Sequence, residues 1–172
     1  STDNLTPTEK IHKISNQLKN ELILELRKKI FEMSGFFFEK LVVDLVNKMG
    51  YGKAKITGKS SDEGIDGIVY LDSLGLDMAY IQAKRFDKQK IGRPDLQKFV
   101  GAIIKEKSDK GIFITTSDFG PNAKEYVKII PHKIILINGN DLFDLMIIHG
   151  LGLEVTDIFK CYRVNEDYFN EE

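Results

Sequence analysis

Gly64-Ile65-Asp66-Gly67-Ile68-Val69-Tyr70 and, beyond a turn around Asp72-Ser73-Leu74-Gly75, Met78-Ala79-Tyr80-Ile81-Gln82-Ala83-Lys84 form the stretch on which the fold is read. The two runs on either side of that turn read as two strands, Ile65 to Leu71 and Met78 to Lys84, joined as a hairpin. Side chains alternate along a strand, so Gln82 and Lys84 share one face while Ala83 faces the other way. Asp66 lies between two glycines at the start of the first strand, where small neighbours let a ligand approach the backbone. If the strands pair through the turn, an acid, an amide and an ammonium meet at one spot.

On the N-terminal side of the hairpin the grammar is helical. Thr6-Pro7-Thr8-Glu9 has the form of a capping box with proline at the first helical position. Ile11, Ile14, Leu18, Leu22 and Leu26 then recur near helical spacing, predicting a long amphipathic helix to about Ile30. Ser34 reads as the N-cap of a second helix that ends at Gly50, a C′ glycine. Its apolar stripe is Phe38, Leu41, Val42, Leu45, Val46 and Met49. Lys53 to Gly58 is expected as a short strand and Lys59 to Gly64 as a polar loop.

On the C-terminal side, Pro94 to Lys105 returns to helical spacing, with Leu96, Phe99, Val100, Ile103 and Ile104 on one face. Gly111 to Thr116 reads as a buried strand, Pro121 to Ile129 as a helix and Ile134 to Ile137 as another strand. Asn138-Gly139 is expected as a turn before a last helix over Asp141 to His149, and Val155 to Val164 as one more strand. The order predicts a mixed α/β domain with helices flanking a central sheet. No internal repeat or low-complexity segment interrupts it.

The acid, amide and ammonium suit phosphodiester hydrolysis. A carboxylate such as Asp66 holds Mg²⁺, which favours oxygen ligands and needs only one or two carboxylates. Gln82 can add a neutral amide oxygen. Lys84 can orient or help deprotonate the attacking water, or stabilise developing negative charge. Glu39 is a fourth candidate. At about 100° per residue it lies at the border of the second helix's apolar stripe, close in direction to Val46, from where it can reach toward Asp66 and share the metal.

Composition bounds the rest. The 172 residues are 42% hydrophobic and 30% charged, as expected of one soluble domain able to bury a core. A net charge of −1 and a pI near 6.3 do not advertise a polyanion partner, so any basic surface must be local. Cys161, the only cysteine, allows neither a disulfide framework nor a thiolate zinc site, and His12, His132 and His149 match no metal-ligand spacing. The polar N-terminus lacks a signal peptide's apolar run, and no apolar run approaches the ~20 residues of a membrane helix. A cytoplasmic protein without membrane contact is expected. Ser1 to Leu5 read as a linker or chain end, and residues 6–172 as one domain belonging to a longer protein.

Taken together, Asp66 and Gln82-Ala83-Lys84 resemble the PD-(D/E)xK nuclease signature in its variant with glutamine at the middle position. The chain as a whole is similar to the catalytic domain of Mrr-like type IV restriction endonucleases. The residues carrying this are Phe38-Glu39-Lys40-Leu41-Val42, Met49-Gly50-Tyr51-Gly52, Gly64-Ile65-Asp66-Gly67-Ile68 and Gln82-Ala83-Lys84-Arg85. Phe99-Val100-Gly101-Ala102, Lys110-Gly111-Ile112-Phe113-Ile114-Thr115-Thr116-Ser117 and Leu136-Ile137-Asn138-Gly139 complete the set. A bare D…QxK pattern is common by chance; the ordered set of blocks is specific.

The resemblance implies a restriction-endonuclease-like αβββαβ core that requires Mg²⁺ or Mn²⁺. It implies double-stranded DNA bearing methylated bases as substrate, and an N-terminal winged-helix domain that is not part of this sequence. Asp66, Gln82 and Lys84 match the family's catalytic motif, and Glu39 matches the acid on its first core helix. Gln82 stands where the generic motif has an acid. A homodimer is expected if both DNA strands are cut, since one active site cuts one strand.

Arg85, Lys88, Lys90, Arg93 and Lys98 follow the catalytic strand closely and form a candidate track for DNA phosphates; a solvated loop and helix face explains them nearly as well. Thr115, Thr116 and Ser117 at a strand end could donate to a phosphate or cap the next helix. Two other function classes stand beside the nuclease: a nuclease-fold binding module without activity, and a nucleotide-binding α/β protein. Retention of Asp66, Gln82 and Lys84 argues against the first, and the lack of a glycine-rich phosphate loop argues against the second.

Overall fold

A computed structural model describes residues 4–58 and 64–170. Most of the loop expected over Lys59 to Gly64, and Ser1 to Asp3 of the expected linker, lie outside the described residues.

The long helix α1 (Pro7–Glu32) starts at the expected capping box: Thr6 Oγ1 accepts from Glu9 N at 3.3 Å and Glu9 Oε2 accepts from Thr6 N at 2.7 Å. Only its C-terminal part is packed. Leu26 and Ile30 are buried, whereas Ile11, Ile14 and Leu18 are exposed. Helix α2 (Gly35–Met49) follows, capped by Ser34 Oγ on Phe37 N at 3.1 Å and ended by Gly50, whose φ of 78° is the left-handed conformation glycine adopts without strain. Phe38, Val42, Leu45 and Val46 of its stripe are buried, and Val43 joins them.

The sheet runs β1-β2-β3-β4-β5: β1 (Lys53–Ile56), β2 (Gly67–Tyr70), β3 (Met78–Lys84), β4 (Lys110–Thr115) and β5 (Lys133–Ile137). The first three strands are antiparallel neighbours, and β3, β4 and β5 are parallel. That change of direction follows from the connections: a short turn joins β2 to β3, while α3 (Arg93–Lys105) and α4 (Pro121–Ile129) occupy the crossovers that parallel strands require. Ala79 and Ile81 face one core, with α2, the end of α1 and α5 (Gly139–Ile148). Tyr80 faces the other, with Leu96, Phe99 and Ile103 of α3 and Ala123 of α4.

Phe113 on β4 fixes α3 against the sheet. Its ring meets Phe99 edge-on at 5.4 Å and Phe119 at 5.8 Å, contacts worth roughly 0.5–1.5 kcal/mol each beyond their burial. Gly111 on the same strand has no room for a side chain, because an added Cβ would lie 2.8 Å from the Phe99 ring. The middle of α3 is therefore held closely against β4.

Three expectations need correction. Ile104 is exposed rather than part of the α3 face. Asn138-Gly139 begins α5 instead of a free turn: Asn138 Oδ1 accepts from Asp141 N at 3.0 Å, and Gly139 packs against the Thr116 backbone too closely for any Cβ. The strand expected over Val155 to Val164 is not formed. That segment lies exposed past Leu153, the last residue packed on the core, and without a neighbouring strand its backbone has no ladder to join. A four-residue helix, α6 (Glu166–Phe169), ends the described chain. Among the described residues no helix is long and apolar enough to cross a membrane.

Candidate active site

Asp66 sits one residue before β2, where the register pairing Gly67 with Ile81 brings it opposite Gln82. The local sequence makes this approach possible. Gly64 has a φ of 75°, and a Cβ there would lie 3.4 Å from Gln82 Oε1; a Cβ on Gly67 would crowd Val43 of α2 at 3.0 Å. Asp66 is buried, with a carboxylate oxygen, Oδ2, that accepts from Gln82 Nε2 and from Ala83 N, both at 2.7 Å. Oδ1 accepts no hydrogen bond among the described residues, and the Gln82 amide oxygen is turned toward Gly64.

Lys84, two residues further along β3, shares the Gln82 face. Its Nζ donates to Asp95 Oδ1 at 2.5 Å and lies 5.5 Å from the centre of the Phe86 ring. Asp95 escaped the sequence reading. Its only sequence signal is helix capping: it stands in the first turn of α3 behind Gly92-Arg93-Pro94, and its Oδ2 accepts from Gly92 N at 3.0 Å.

Their surroundings shift the carboxylates in opposite directions. Burial pushes Asp66 above the ordinary aspartate value, although the Ala83 N–H and the Lys84 charge pull the other way. Burial also raises Glu39 on α2, and the negative charge of Asp66 adds to it. The structure thus brings Glu39 within electrostatic reach of Asp66. Asp95 is lowered: burial works against ionisation, but the hydrogen bonds from Lys84 and Gly92 and the charge of Lys84 outweigh it.

Two neighbouring carboxylates held above their ordinary values, with hydrogen-bonding capacity to spare, suit a hard divalent cation, whose charge would relieve both. The donors are all oxygen, as Mg²⁺ prefers. Among the described residues no cluster of three or more acidic, histidine or cysteine side chains exists, so such an ion would retain water.

The candidate DNA-binding residues divide. Lys88, Lys90, Arg93 and Lys98 are exposed, with Lys90 3.8 Å from Asp118 and the Arg93 guanidinium 5.2 Å from the centre of the Tyr126 ring. Arg85 points inward instead, donating to the carbonyls of Ile30, at 2.9 Å, and Met33 at the end of α1. Thr116 is 1% exposed and donates to the Phe86 carbonyl at 2.8 Å, which leaves no surface for a phosphate. Thr115 is buried too, and its hydroxyl accepts from Ser117 N at 3.2 Å. Both Arg85 and Thr116 tie elements together around the site.

Comparison with known proteins decides the family. The Mrr catalytic domain, described as restriction endonuclease, matches residues 30–146, from the end of α1 into α5. The chain belongs to that family. The type IV methyl-directed restriction enzyme EcoKMrr of Escherichia coli K12 is 33% identical over 168 residues, which cover 95% of this chain and 54% of that enzyme. The Mrr-type domain here therefore spans about half the length of its curated relative. Among solved structures, the DNA modification-dependent restriction endonuclease AspBHI has a TM-score of 0.63 at 20% identity, over 78% of this chain and 36% of its own. The MspJI restriction endonuclease, solved with a 27-mer oligonucleotide, has a TM-score of 0.57 at 18% identity over 74% and 31%. These likenesses establish the restriction-endonuclease fold, and Asp66, Gln82, Lys84 and Glu39 all lie within the matched residues.

Proposed function

We propose that this domain hydrolyses phosphodiester bonds of double-stranded DNA with the help of Mg²⁺ or Mn²⁺, as the cleavage part of a cytoplasmic restriction enzyme directed to methylated DNA. One observation carries the reading: in a restriction-endonuclease domain, Asp66, Gln82 and Lys84 converge at the end of β3 with Glu39 coupled electrostatically to Asp66.

Asp66, through Oδ1, and Glu39 would hold the metal, with the Gln82 amide oxygen as a neutral third donor. When bound, the metal supplies positive charge that stabilises the phosphate and makes water more acidic. The chain's own residues do the placing. Gln82 Nε2 and Ala83 N fix the Asp66 carboxylate in one orientation. Lys84 offers its ammonium at the same sheet edge, where it orients the attacking water and balances the charge that builds as the phosphorus–oxygen bond breaks. Lys88, Lys90, Arg93 and Lys98 hold the DNA backbone from outside. Each chain contributes one such site, so a double-strand break calls for two copies. Base recognition belongs to a further domain, and the methyl-directed description of EcoKMrr supports a modified substrate.

The test is cleavage of methylated and unmethylated plasmid by the intact protein in Mg²⁺, Mn²⁺ or EDTA. Nicking or linearisation that requires metal is expected. An intact protein that binds DNA but cuts neither plasmid with either metal contradicts the proposal and favours a binding module of nuclease fold.

A further inference from the structure

A lysine at the end of a strand does not hold its own position. Four methylenes leave the side chain many rotamers, and Lys84 needs a partner to keep its ammonium at one point. The nearest functional carboxylate is not that partner. Asp66 acts on Lys84 only through its charge, because its Oδ2 is committed to Gln82 and Ala83. The partner is Asp95, whose two oxygens are divided: Oδ1 takes Lys84 Nζ at 2.5 Å, and Oδ2 takes the Gly92 N–H at 3.0 Å.

This pair differs from the other ion pairs of the molecule. Among those of the described residues, it alone has both side chains less than a third exposed, at 29% and 26%. Its setting is also rigid, since α3 is locked onto the sheet through buried Leu96 and Phe99 within a turn or so of Asp95. The N-terminal end of α3 carries partial positive charge, which favours a carboxylate there and opposes a bare ammonium nearby. Asp95 makes Lys84 compatible with that helix end.

We propose that Asp95 is a positioning residue for the reaction, holding the Lys84 ammonium at a fixed point beside Asp66 and referring that point to the start of α3. This rests on the nuclease reading above and extends it to a residue outside the catalytic motif. Asp95 touches neither metal nor substrate; it acts through Lys84. A cap alone would need only one carboxylate oxygen, and the second would be solvated.

Asparagine separates the two duties. In Asp95→Asn the amide oxygen still caps Gly92, but the charge that holds Lys84 is gone. In the intact protein, single-turnover cleavage at saturating DNA should fall by about 10- to 100-fold, the scale of a reacting group displaced by about an ångström. DNA affinity and Mn²⁺ affinity should stay near wild type, the melting temperature should fall only modestly as the ion pair is lost, and Asp95→Glu should recover part of the rate. Combined with Lys84→Ala, Asp95→Asn should cost nothing further, because its effect passes through the missing lysine. Independently of activity, the ¹⁵N resonance of the Lys84 ammonium should be observable in the wild type and shift or broaden in Asp95→Asn.

Wild-type cleavage by Asp95→Asn, or a loss confined to DNA affinity, overturns the inference while leaving the nuclease reading intact. An ammonium resonance unchanged by Asp95→Asn overturns it as well. A wild type that cuts no DNA overturns both readings together.

Discussion

The end of β3 separates two pairs of charged groups that the protein treats in opposite ways. On one side Asp66 and Glu39 are both acidic, both partly withdrawn from water and both raised above their ordinary values, each opposed by burial and Glu39 also by its neighbour's charge. On the other side Asp95 faces Lys84, and the carboxylate is lowered although burial works against it. The second pair is electrostatically complete within the chain. Among the described residues the first is not: hydrogen bonds from Gln82 and Ala83 and the more distant Lys84 are what offset its negative charge. A fold selected for stability alone would not place two acids together in this way. In the proposed function, the first pair is where an external cation would sit, and the second is where the chain supplies its own.

The contrast can be broken hardest at Lys84. Lys84→Ala should lower plasmid cleavage by about 10²- to 10⁴-fold, the usual contribution of a general acid–base group, with circular dichroism and Mn²⁺ binding near wild type. Full activity in this variant would remove Lys84 from the mechanism.

A smaller and purely thermodynamic effect distinguishes the two pairs by pH. Because Asp66 and Glu39 keep their protons longer in the folded state, that state binds more protons than the unfolded chain between the ordinary values, 3.8 and 4.5, and the raised ones. Their contribution to stability therefore declines as pH rises through that window. Asp95 does the reverse: its contribution is present above 3.8 and is lost as pH falls through its lowered value. Glu39→Gln should flatten the first decline, raise the melting temperature of the metal-free protein at neutral pH, and diminish the gain produced by Mg²⁺. Urea titrations between about pH 4 and pH 8 measure it. An unchanged profile would mean that Glu39 and Asp66 do not sense each other.

The smallest effect lies outside the site. Lys88→Ala combined with Arg93→Ala should weaken DNA binding uniformly across sequences and reduce the slope of log K against log salt by roughly 2, at about 0.9 for each phosphate contact. Unchanged affinity and slope would show these cations to be merely solvated.

How much of this is legible before folding depends on whether the signal is local. Helix α2 can be read to its ends because Ser34 and Gly50 are capping signals and the stripe between them is continuous. The hairpin is legible because alternation and a turn fix its register, and register sets Asp66 against Gln82. Asp95 is invisible because its meaning comes from a crossover that returns the start of α3 to the end of β3; in sequence it is only a capping residue. Arg85 misleads for the same reason. It stands among surface cations, yet the end of α1 lies beneath it and offers carbonyls that outcompete solvent. Val155 to Val164 contains strand-forming residues but has no strand beside it, and composition alone cannot supply the partner.

The central claim, that Asp66 and Glu39 form a pair awaiting a cation, is tested most directly by titrating the metal-free protein with Mn²⁺ and following free Mn²⁺ by electron paramagnetic resonance, in parallel with Asp66→Asn. The account predicts saturable binding at one site per chain in the wild type and a clear loss of affinity in Asp66→Asn. No binding by the wild type in the presence of DNA, or equal binding by Asp66→Asn, would contradict it.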